Sequence, residues 1–350
     1  MMKIAIHERN GSFSDRWIDY CTKHEIRHKI VNCYDSDIID QLKDCDGLMW
    51  HWSHTDYRDL RCALPIIRSL EDMGKLVFPS YSTCWHFNDK VAQKYLLETI
   101  GAPLVKSYVF YDNETASEWI DRADFPKVFK LRGGAGSLNV SLVRDRRQAH
   151  RLVNKMFGRG INSNNNVSKL NDRWHKLLHN KDRSSFYAFV RAIVLNAYPQ
   201  ISIDRRYTAN DTGYAYFQDF IPNNTFDDRI VVLGNRAIFL RRFTRKGDFR
   251  ASGSGLFDYN PSLISKDSLK TAFEVSRKIN AQSLAYDFVY TESGNPQIVE
   301  ISYAYSMGKA YDDCPGYWDS DLNWHEVPVD PQRFIIEDFI KAIDSHKIDF

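Results

Sequence analysis

The first 80 residues alternate between short apolar runs and amphipathic stretches. The apolar runs predict strands over residues 3–7, 26–31, 47–52 and 76–78, and the stretches between them predict helices over 15–23, 37–43 and 60–73. This order predicts a small parallel α/β domain. Residues 51–54, His-Trp-Ser-His, fall at the carboxyl end of the third strand, where open α/β sheets bind ligands. They are either a substrate contact or a capped loop with surface histidines, and we favour the loop.

The pattern changes after residue 80, where strands and helices are less regularly spaced. Residues 79–87 predict a linker, and 158–166, rich in Asn and Gly, predict a mobile loop. Strands are expected over 105–111, 127–131, 139–143, 214–221, 229–233 and 237–243, and helices over 89–99, 114–121, 146–157, 269–279 and 331–343. The structure of residues 170–205 is left open.

Composition and charge narrow the class of protein. The chain has 350 residues, 43% of them hydrophobic and 26% charged, which predicts a globular protein of two or three domains. Lys and Arg number 47 against 45 Asp and Glu, which gives a net charge of +2. A protein so close to neutral has no overall positive potential that would attract nucleic acid. The arginines at 144, 146 and 147 therefore predict a solvated face, while other arginine clusters could form local anion sites.

Targeting signals and cysteine patterns point to the cytoplasm. The first residues lack the apolar core of a signal peptide, and no apolar run approaches the ~18 residues of a membrane span. The six cysteines include no C-x-x-C pair and no zinc-ligand spacing. We expect a cytoplasmic protein with reduced, mostly structural thiols and no membrane insertion.

Two apolar runs, residues 284–290 and 296–302, flank a Glu-Ser-Gly-Asn turn and predict a β-hairpin. Asp287 lies near the middle of the first strand, and Glu300 and Ser302 lie two apart on the second, so they share a face. Three oxygen-bearing side chains that converge in this way suit Mg²⁺, which prefers carboxylates plus phosphate oxygens. The alternative is a surface hairpin with ordinary polar residues.

A glycine-rich stretch follows the strand that ends near Lys130. Its glycines would let backbone N–H groups approach oxyanions closely, which suits a cover over phosphate. The stretch is not a Walker A loop, since no Gly-Lys-Ser/Thr follows, and a plain hairpin turn is the alternative. The residues concerned include Gly134, Gly136 and Ser137.

Two further segments could contact a nucleotide. Residues 218–222 end a strand whose backbone groups could pair with an adenine edge, although a strand closed by Pro222 is the plainer interpretation. Arg229, Arg242 and Arg250 fall on neighbouring elements ahead of the acidic hairpin. Arginine forks bind phosphate or carboxylate, and each could instead pair with a nearby Asp.

The order of these parts resembles the ATP-grasp superfamily, the fold of glutathione synthetase, D-alanine–D-alanine ligase and ribosomal-protein glutamate ligases. The resemblance covers roughly residues 75–305. It implies that Lys90 and Lys130 are the two nucleotide lysines. It also implies an adenine hinge and a metal site. The hinge is Gln218, Asp219, Phe220 and Ile221, and the metal ligands are Asp287, Glu300 and Ser302.

This chain departs from the family pattern at three positions. The family usually has Asn at position 302 and often at 252, where this chain has Ser, and Leu131 replaces a frequent Pro. A serine hydroxyl can still reach Mg²⁺ directly or through water. Residues 158–205 resemble an insertion relative to shorter members.

The resemblance implies an α/β (α+β) fold: a pre-grasp domain with a parallel sheet over 1–80, and ATP-grasp subdomains over 81–220 and 221–350 that hold ATP between their sheets. It implies an enzyme that joins a small-molecule carboxylate to an amine through an acyl phosphate, using ATP and one or two Mg²⁺ ions. Arg229, Arg242 and Arg250 would neutralise charge on phosphate and acyl phosphate. A homodimer is an expectation from the same resemblance, and nucleic acid is not an expected partner.

The substrates are less well defined. The aromatic stretch 303–326 suits either a sugar or aromatic acid substrate or a packed carboxyl-terminal wrap, which we favour. It is similar to the tail of ATP-grasp proteins of bacterial surface-polysaccharide synthesis, which implies a sugar acid or nucleotide-sugar. A kinase on the same fold, a non-catalytic ATP sensor, and polysaccharide or nucleic-acid binding through the arginines and aromatics are the alternatives.

Overall fold

A parallel sheet forms the amino-terminal part of the chain. Its strands are β1 (Ile4–His7), β2 (His28–Val31), β3 (Gly47–Met49) and β4 (Leu76–Phe78), in the order β2-β1-β3-β4. The helices that connect them are α1 (Phe13–Lys23), α2 (Ile38–Gln41) and α3 (Asp59–Asp72). All four residues of β1 are buried, as its apolar composition requires. The predicted parallel α/β arrangement is confirmed.

These elements come from a computed structural model that describes residues 2–134, 139–162, 186–187, 189–191, 193–194, 210–245 and 247–346. The chain falls into two units. The larger comprises Met1–Phe87, Ala92–Leu104 and Asn223–Phe350, and the smaller comprises Asn88–Val91 and Val105–Pro222. The three-domain division made from the sequence stays a prediction. Most of the predicted insertion and mobile loop lies outside the described residues.

The segment predicted to be a linker, residues 79–87, contains a short helix, so that prediction is wrong. Helix α4 spans Tyr81–Cys84, and the Ser80 side chain caps it by accepting a hydrogen bond from the Thr83 N–H. Ser80 at a helix start, followed by residues that can complete one turn, is a capping signal. Thr83 and Cys84 are fully buried, so the segment is part of the core.

The smaller unit carries an antiparallel sheet. Helix α5 (Lys90–Thr99) begins in this unit, and the sheet strands are β5 (Ser107–Phe110), β6 (Lys127–Lys130), β7 (Val140–Val143) and β8 (Ala215–Asp219), in the order β5-β8-β6-β7. Helices α6 (Asn113–Arg122) and α7 (Arg146–Met156) pack on it. Strands β6 and β7 pair in antiparallel register, Lys130 opposite Val140, so the glycine-rich stretch connects a hairpin. The arginines at 144, 146 and 147 are exposed, as predicted.

A larger antiparallel sheet belongs to the larger unit. Its strands are β9 (Phe226–Leu233), β10 (Arg236–Phe243), β11 (Phe257–Asp258), β12 (Ser283–Tyr290), β13 (Pro296–Ser302), β14 (Tyr317–Asp319) and β15 (Trp324–His325). The order is β13-β12-β9-β10-β14-β15, with β11 paired to β10. Helices α8 (Lys266–Ile279), α9 (Lys309–Asp312) and α10 (Pro331–His346) complete the unit.

Both faces of this sheet are covered. On β9, Ile230 and Val232 join one hydrophobic cluster with residues of α8 and α3, while Val231 and Leu233 join a second with residues of α1 and α10. Burial on both faces explains why this part of β9 is a continuous apolar run rather than an alternating one.

The aromatic tail is built into the same unit. Tyr303, Tyr305 and Tyr311 are buried, and β14 and β15 extend the sheet beyond β10. The packed wrap that we favoured is therefore what the structure shows. Among the described residues, no helix is long and apolar enough to cross a membrane.

Candidate functional site

The predicted acidic hairpin is present as β12 and β13. Asp287 lies directly opposite Glu300, and Ala285 lies opposite Ser302. An irregularity follows between Asp287 and Phe288, where the register shifts. Residues directly opposite on antiparallel strands share a face, so Asp287, Glu300 and Ser302 line one side of the hairpin. Their role as metal ligands stays a prediction.

Asp287 is held by two arginines. Arg229 places Nε 2.7 Å from Oδ1 and Nη2 2.8 Å from Oδ2, and Arg242 places Nη2 2.8 Å from Oδ2. Asp287 is 8% exposed. Burial alone would raise the pKa of Asp287, but the charges of Arg229 and Arg242 outweigh it and hold the pKa well below its usual range. The carboxylate is therefore ionised, and both of its oxygens face arginine side chains.

A second carboxylate shares Arg242. Asp227 lies opposite Arg242 in the β9–β10 register, and its oxygens accept from Nε at 2.5 Å and Nη2 at 2.7 Å. Burial raises the pKa of Asp227 to about 6, against the opposing charge of Arg242. Tyr311 adds its hydroxyl 3.1 Å from Nη1 of Arg229. Neither Asp227 nor Tyr311 was identified from the sequence.

The arginines predicted to bind phosphate are thus paired with carboxylates. The sequence had left such a pairing with a nearby Asp open for each of them. Arg250 pairs with Asp248, two residues earlier in the chain, with Nη2 2.8 Å from Oδ2. It lies between β10 and β11, after Arg229 and Arg242 in the chain. Their roles toward phosphate stay predictions.

The donors on the hairpin fit Mg²⁺. Two carboxylates on neighbouring strands, with phosphate oxygens completing the shell, are a usual Mg²⁺ set. In the described residues, no group of three or more His, Cys, Asp or Glu side chains could hold a metal ion by itself. Ser302 donates its hydroxyl to the Ala304 carbonyl at 3.3 Å. A metal here would therefore depend on Asp287, Glu300 and an oxygen-rich ligand.

In the smaller unit, the two predicted nucleotide lysines are buried. Lys130 is 3% exposed and donates from Nζ to Oε1 of Gln218 at 2.6 Å. Lys90 is 4% exposed and donates from Nζ to the carbonyl of Gly134 at 2.8 Å. The structure thus joins Lys130 to the predicted adenine hinge and Lys90 to the glycine-rich stretch. Both ammonium groups therefore place positive charge inside the smaller unit.

The rest of the predicted nucleotide segment lies at a strand end. Strand β8 ends at Asp219, whose Oδ1 accepts from Nζ of Lys127 at 2.7 Å, and Phe220 and Ile221 follow it. Gly134 donates its N–H to Oδ1 of Asn88 at 2.8 Å. Gly136 and Ser137 lie outside the described residues.

The loop at the carboxyl end of β3 is capped, as we favoured. Oδ2 of Asp59 accepts from the Ser53 N–H at 2.6 Å. The histidines are not simply on the surface, however: the His51 ring stacks on Phe13 with centroids 3.7 Å apart. Burial, and then the charge of Arg9, hold the pKa of His51 well below its ordinary value.

Comparison with known proteins gives a likeness in structure alone. No protein-family model and no curated protein sequence matches the chain. D-alanine–D-alanine ligase from Bacillus anthracis, solved in complex with ATP, is similar at TM-score 0.58 and 12% identity, covering 98% of each chain. An ATP-grasp RimK domain protein from Sphaerobacter thermophilus gives 0.57 and 14%, covering 97% of this chain and 99% of that one.

A third similar structure is the biotin carboxylase domain of 2-oxoglutarate carboxylase from Hydrogenobacter thermophilus, solved with MgADP and bicarbonate. It gives TM-score 0.56 and 12% identity, covering 97% of this chain and 69% of that one. Likeness over nearly the whole chain at this low identity establishes a shared fold.

Proposed function

We propose that this chain, which has the ATP-grasp fold, is an ATP-dependent ligase that joins the carboxylate of one small molecule to the amine of another. The observation that carries the proposal is the pairing of Asp287 with Glu300 on one face of a hairpin, beside Arg229 and Arg242. Similar structures are named as a D-alanine–D-alanine ligase and an ATP-grasp RimK domain protein. Fold alone does not fix chemistry, and these four side chains supply the chemical argument.

The smaller unit supplies groups for the nucleotide. Lys90 and Lys130 are buried cations that suit phosphate oxygens, and the strand end at Gln218–Ile221 offers backbone groups to an adenine edge. Lys130 is held in place by its bond to Gln218. The glycine-rich stretch from Gly134 through Gly136 and Ser137 would cover the phosphates and exclude water, which would hydrolyse an activated intermediate.

The larger unit supplies groups for the metal and the reacting phosphate. Asp287 and Glu300 would hold Mg²⁺, with Ser302 as a third donor, and the ion when bound neutralises charge on phosphate oxygens. Arg229 and Arg242 lie beside Asp287, and with Arg250 they would stabilise negative charge that develops on the transferred phosphoryl group.

The reaction then has two steps. A carboxylate oxygen of the substrate attacks the γ-phosphorus of ATP, which breaks the bond to the β-phosphate oxygen and gives an acyl phosphate and ADP. The amine nitrogen attacks the acyl carbon, phosphate leaves with the bonding electrons, and the amine loses a proton. Positioning and electrostatics supply most of the catalysis, so no covalent enzyme nucleophile is needed.

The test measures ADP release in the presence of Mg²⁺, with panels of carboxylates and amines and with mass spectrometry of the products. Glu300→Gln is expected to lose ADP release at least about a hundredfold while it remains folded, because the amide cannot supply a charged ligand. Glu292→Gln, in the exposed turn of the same hairpin, is the matched control and should keep full activity. Full ADP release by folded Glu300→Gln would contradict the proposal.

The products separate this function from the alternatives on the same fold. A ligase needs both carboxylate and amine for full turnover and gives an amide without phosphate. A kinase releases ADP without an amine and leaves phosphate on its product. A sensor binds ATP and shows no turnover with any acceptor mixture.

A sugar acid or nucleotide-sugar of surface-polysaccharide synthesis is our narrower proposal for the carboxylate substrate. Tyr303, Tyr305 and Tyr311 of the aromatic tail are buried in the core, so stacking by the tail does not support this proposal. It is supported only by the resemblance of the tail to that of polysaccharide-associated proteins. Uronic acids and their nucleotide conjugates therefore belong in the substrate panel, alongside amino acids.

A further inference from the structure

Two neighbouring ion pairs join β9 to β10 in the same way. Asp227 lies opposite Arg242, and Asp228 lies opposite Arg241, in the register of the two strands. In each pair the carboxylate accepts from Nε and Nη2 of the guanidinium group, at 2.5 and 2.7 Å for Arg242 and at 2.7 and 2.9 Å for Arg241. Successive residues of a strand point to opposite faces, so one pair lies on each face of the sheet.

The pair of Asp228 and Arg241 is enclosed by the protein. Asp228 is fully buried, and its Oδ2 also accepts from the Tyr290 hydroxyl at 2.6 Å. Nη2 of Arg241 donates to the Leu263 carbonyl at 3.0 Å, and the Phe226 ring centroid lies 3.7 Å from its guanidinium carbon. These contacts tie together strands and a connecting segment, so this pair has a structural role.

The pair of Asp227 and Arg242 leads instead to the acidic hairpin. Nη2 of Arg242 also lies 2.8 Å from Oδ2 of Asp287, which is directly opposite Glu300. The contacts of Arg242 with the two aspartates use Nε and Nη2, and neither contact uses Nη1. The guanidinium group is planar and rigid, so a carboxylate that holds Nε and Nη2 also fixes where Nη1 lies.

Asp287 alone would hold Arg242 less firmly. It meets Arg242 at one nitrogen, and both of its oxygens also bind Arg229. A single contact leaves a guanidinium group free to turn, whereas the two bonds to Asp227 fix its plane. The charges of the two arginines are matched by those of Asp227 and Asp287. Because these four side chains carry no excess positive charge, their attraction for an anion depends on where the remaining donor points.

We propose that Asp227 is a positioning residue for the reacting phosphate. It holds Arg242 by Nε and Nη2, and thereby presents Nη1 to the γ-phosphate of the nucleotide bound at the hairpin. In this role Asp227 acts through Arg242 and need not contact the nucleotide. The inference rests on the proposed function for the identity of the anion, and it gives that function a further residue.

The test compares two nucleotides by isothermal titration calorimetry, on the full chain with Mg²⁺ present. The probes are ADP and AMP-PCP, an ATP analogue that cannot transfer its γ-phosphate, so the ratio of their dissociation constants isolates the γ-phosphate. For Asp227→Asn we expect this ratio to shift against AMP-PCP at least about tenfold, with the affinity for ADP changed less than about twofold. Asp227→Ala is a second neutral replacement, and circular dichroism checks the folding of each variant.

The sign of the shift separates positioning from simple competition for Arg242. Removal of the Asp227 charge takes a negative group away from the phosphate, which by itself strengthens the binding of AMP-PCP. Weaker binding therefore requires that Arg242 has lost its orientation. Asp228→Asn is the matched control, because it breaks the corresponding pair on the other face of the sheet and should leave the ratio unchanged.

A double variant shows whether Asp227 acts through Arg242. Arg242→Gln should shift the ratio at least as far as Asp227→Asn does, and Asp227→Asn added to Arg242→Gln should have no further effect. Additive effects, an equal shift in Asp228→Asn, or an unchanged or opposite shift in a folded Asp227 variant would each overturn the inference.

The proposed function can fail separately from this inference. Because the titrations involve no turnover, retained ADP release by Glu300→Gln would refute the ligase mechanism without affecting them. A wild-type protein that binds neither ADP nor AMP-PCP would overturn both.

Discussion

Arg229 binds Asp287 through one edge of its guanidinium group, Nε to Oδ1 at 2.7 Å and Nη2 to Oδ2 at 2.8 Å, across two neighbouring strands of one sheet. Because Arg242 also contacts Asp287, the carboxylate that we assign to the metal also holds two arginines in place, and Arg242 is buried. Loss of its charge should therefore affect folding as well as catalysis.

Asp287→Asn is expected to lower the free energy of unfolding by about 3 kcal/mol, since breaking a buried ion pair leaves uncompensated charge. Urea unfolding measures it. Asp19→Asn is the control: its pair with Lys23 is exposed and should contribute less than about 0.5 kcal/mol. Equal stability of wild type and Asp287→Asn would show that the arginines do not depend on this carboxylate.

Lys130→Met should separate nucleotide binding from stability. We expect ATP affinity to fall at least about tenfold, because a buried cation that suits phosphate is lost. The free energy of unfolding should change by no more than about 1 kcal/mol, since the orphaned Gln218 oxygen is offset by removal of a buried charge. Nucleotide titration and urea unfolding measure the two effects, with the exposed Lys155→Met as control. Unchanged ATP affinity would remove Lys130 from the site.

Because of His7, we expect the free energy of unfolding to fall on mild acidification. Burial, and then the charge of Arg9, lower the pKa of His7 from 6.5 to about 4. Between pH 6.5 and 4 the unfolded chain binds a proton that the folded chain does not, so stability falls as pH falls through this window, by roughly 2–3 kcal/mol.

His7→Asn provides the check, because its Oδ1 can replace the Nδ1 that accepts from the Cys33 N–H at 2.9 Å. Urea unfolding at pH 7 and pH 4.5 should show a smaller loss for His7→Asn than for the wild type. Identical losses in the two proteins would mean that His7 is not the group responsible.

Gly316→Ala tests the packing of the tail. A Cβ at this position would overlap the His325 carbonyl and lie 2.7 Å from Cζ2 of Trp324. The β14–β15 pairing would have to shift, which should lower the free energy of unfolding by about 1–3 kcal/mol. Thermal or urea unfolding measures the change, with the exposed Ser320→Ala on the same hairpin as the control. A Gly316→Ala protein as stable as the wild type would show that the β14–β15 pairing can adjust to the added Cβ at no cost.

The parts of the site that depend on local patterns were predictable from the sequence. Two apolar runs around a Gly-containing turn were enough to predict a hairpin that brings Asp287 and Glu300 together, and the structure places the two directly opposite each other. The pairing of Asp227 with Arg242 was missed, although the two-residue turn at Gly234 and Asn235 fixes the register that aligns them.

Contacts between distant segments gave no such signal. The bond from Tyr303 to the Trp52 carbonyl joins residues 251 positions apart, and no local pattern encodes it. The same holds for the Lys130–Gln218 bond. The two residues meet because β6 and β8 are neighbours in the sheet, and that order cannot be predicted from the position of each strand in the sequence. The α4 helix was missed for another reason, since a single capped turn has little periodicity to detect.

The last strands of the large sheet have a practical consequence for anyone who shortens the chain. Strand β14 lies against β10 at Arg236 and Ala237. A protein truncated after the acidic hairpin would leave the backbone amides and carbonyls of that part of β10 open, and an uncovered strand recruits other copies of itself. Such a fragment should therefore aggregate during purification, even though it would still contain every residue that we assign to binding the nucleotide and the metal.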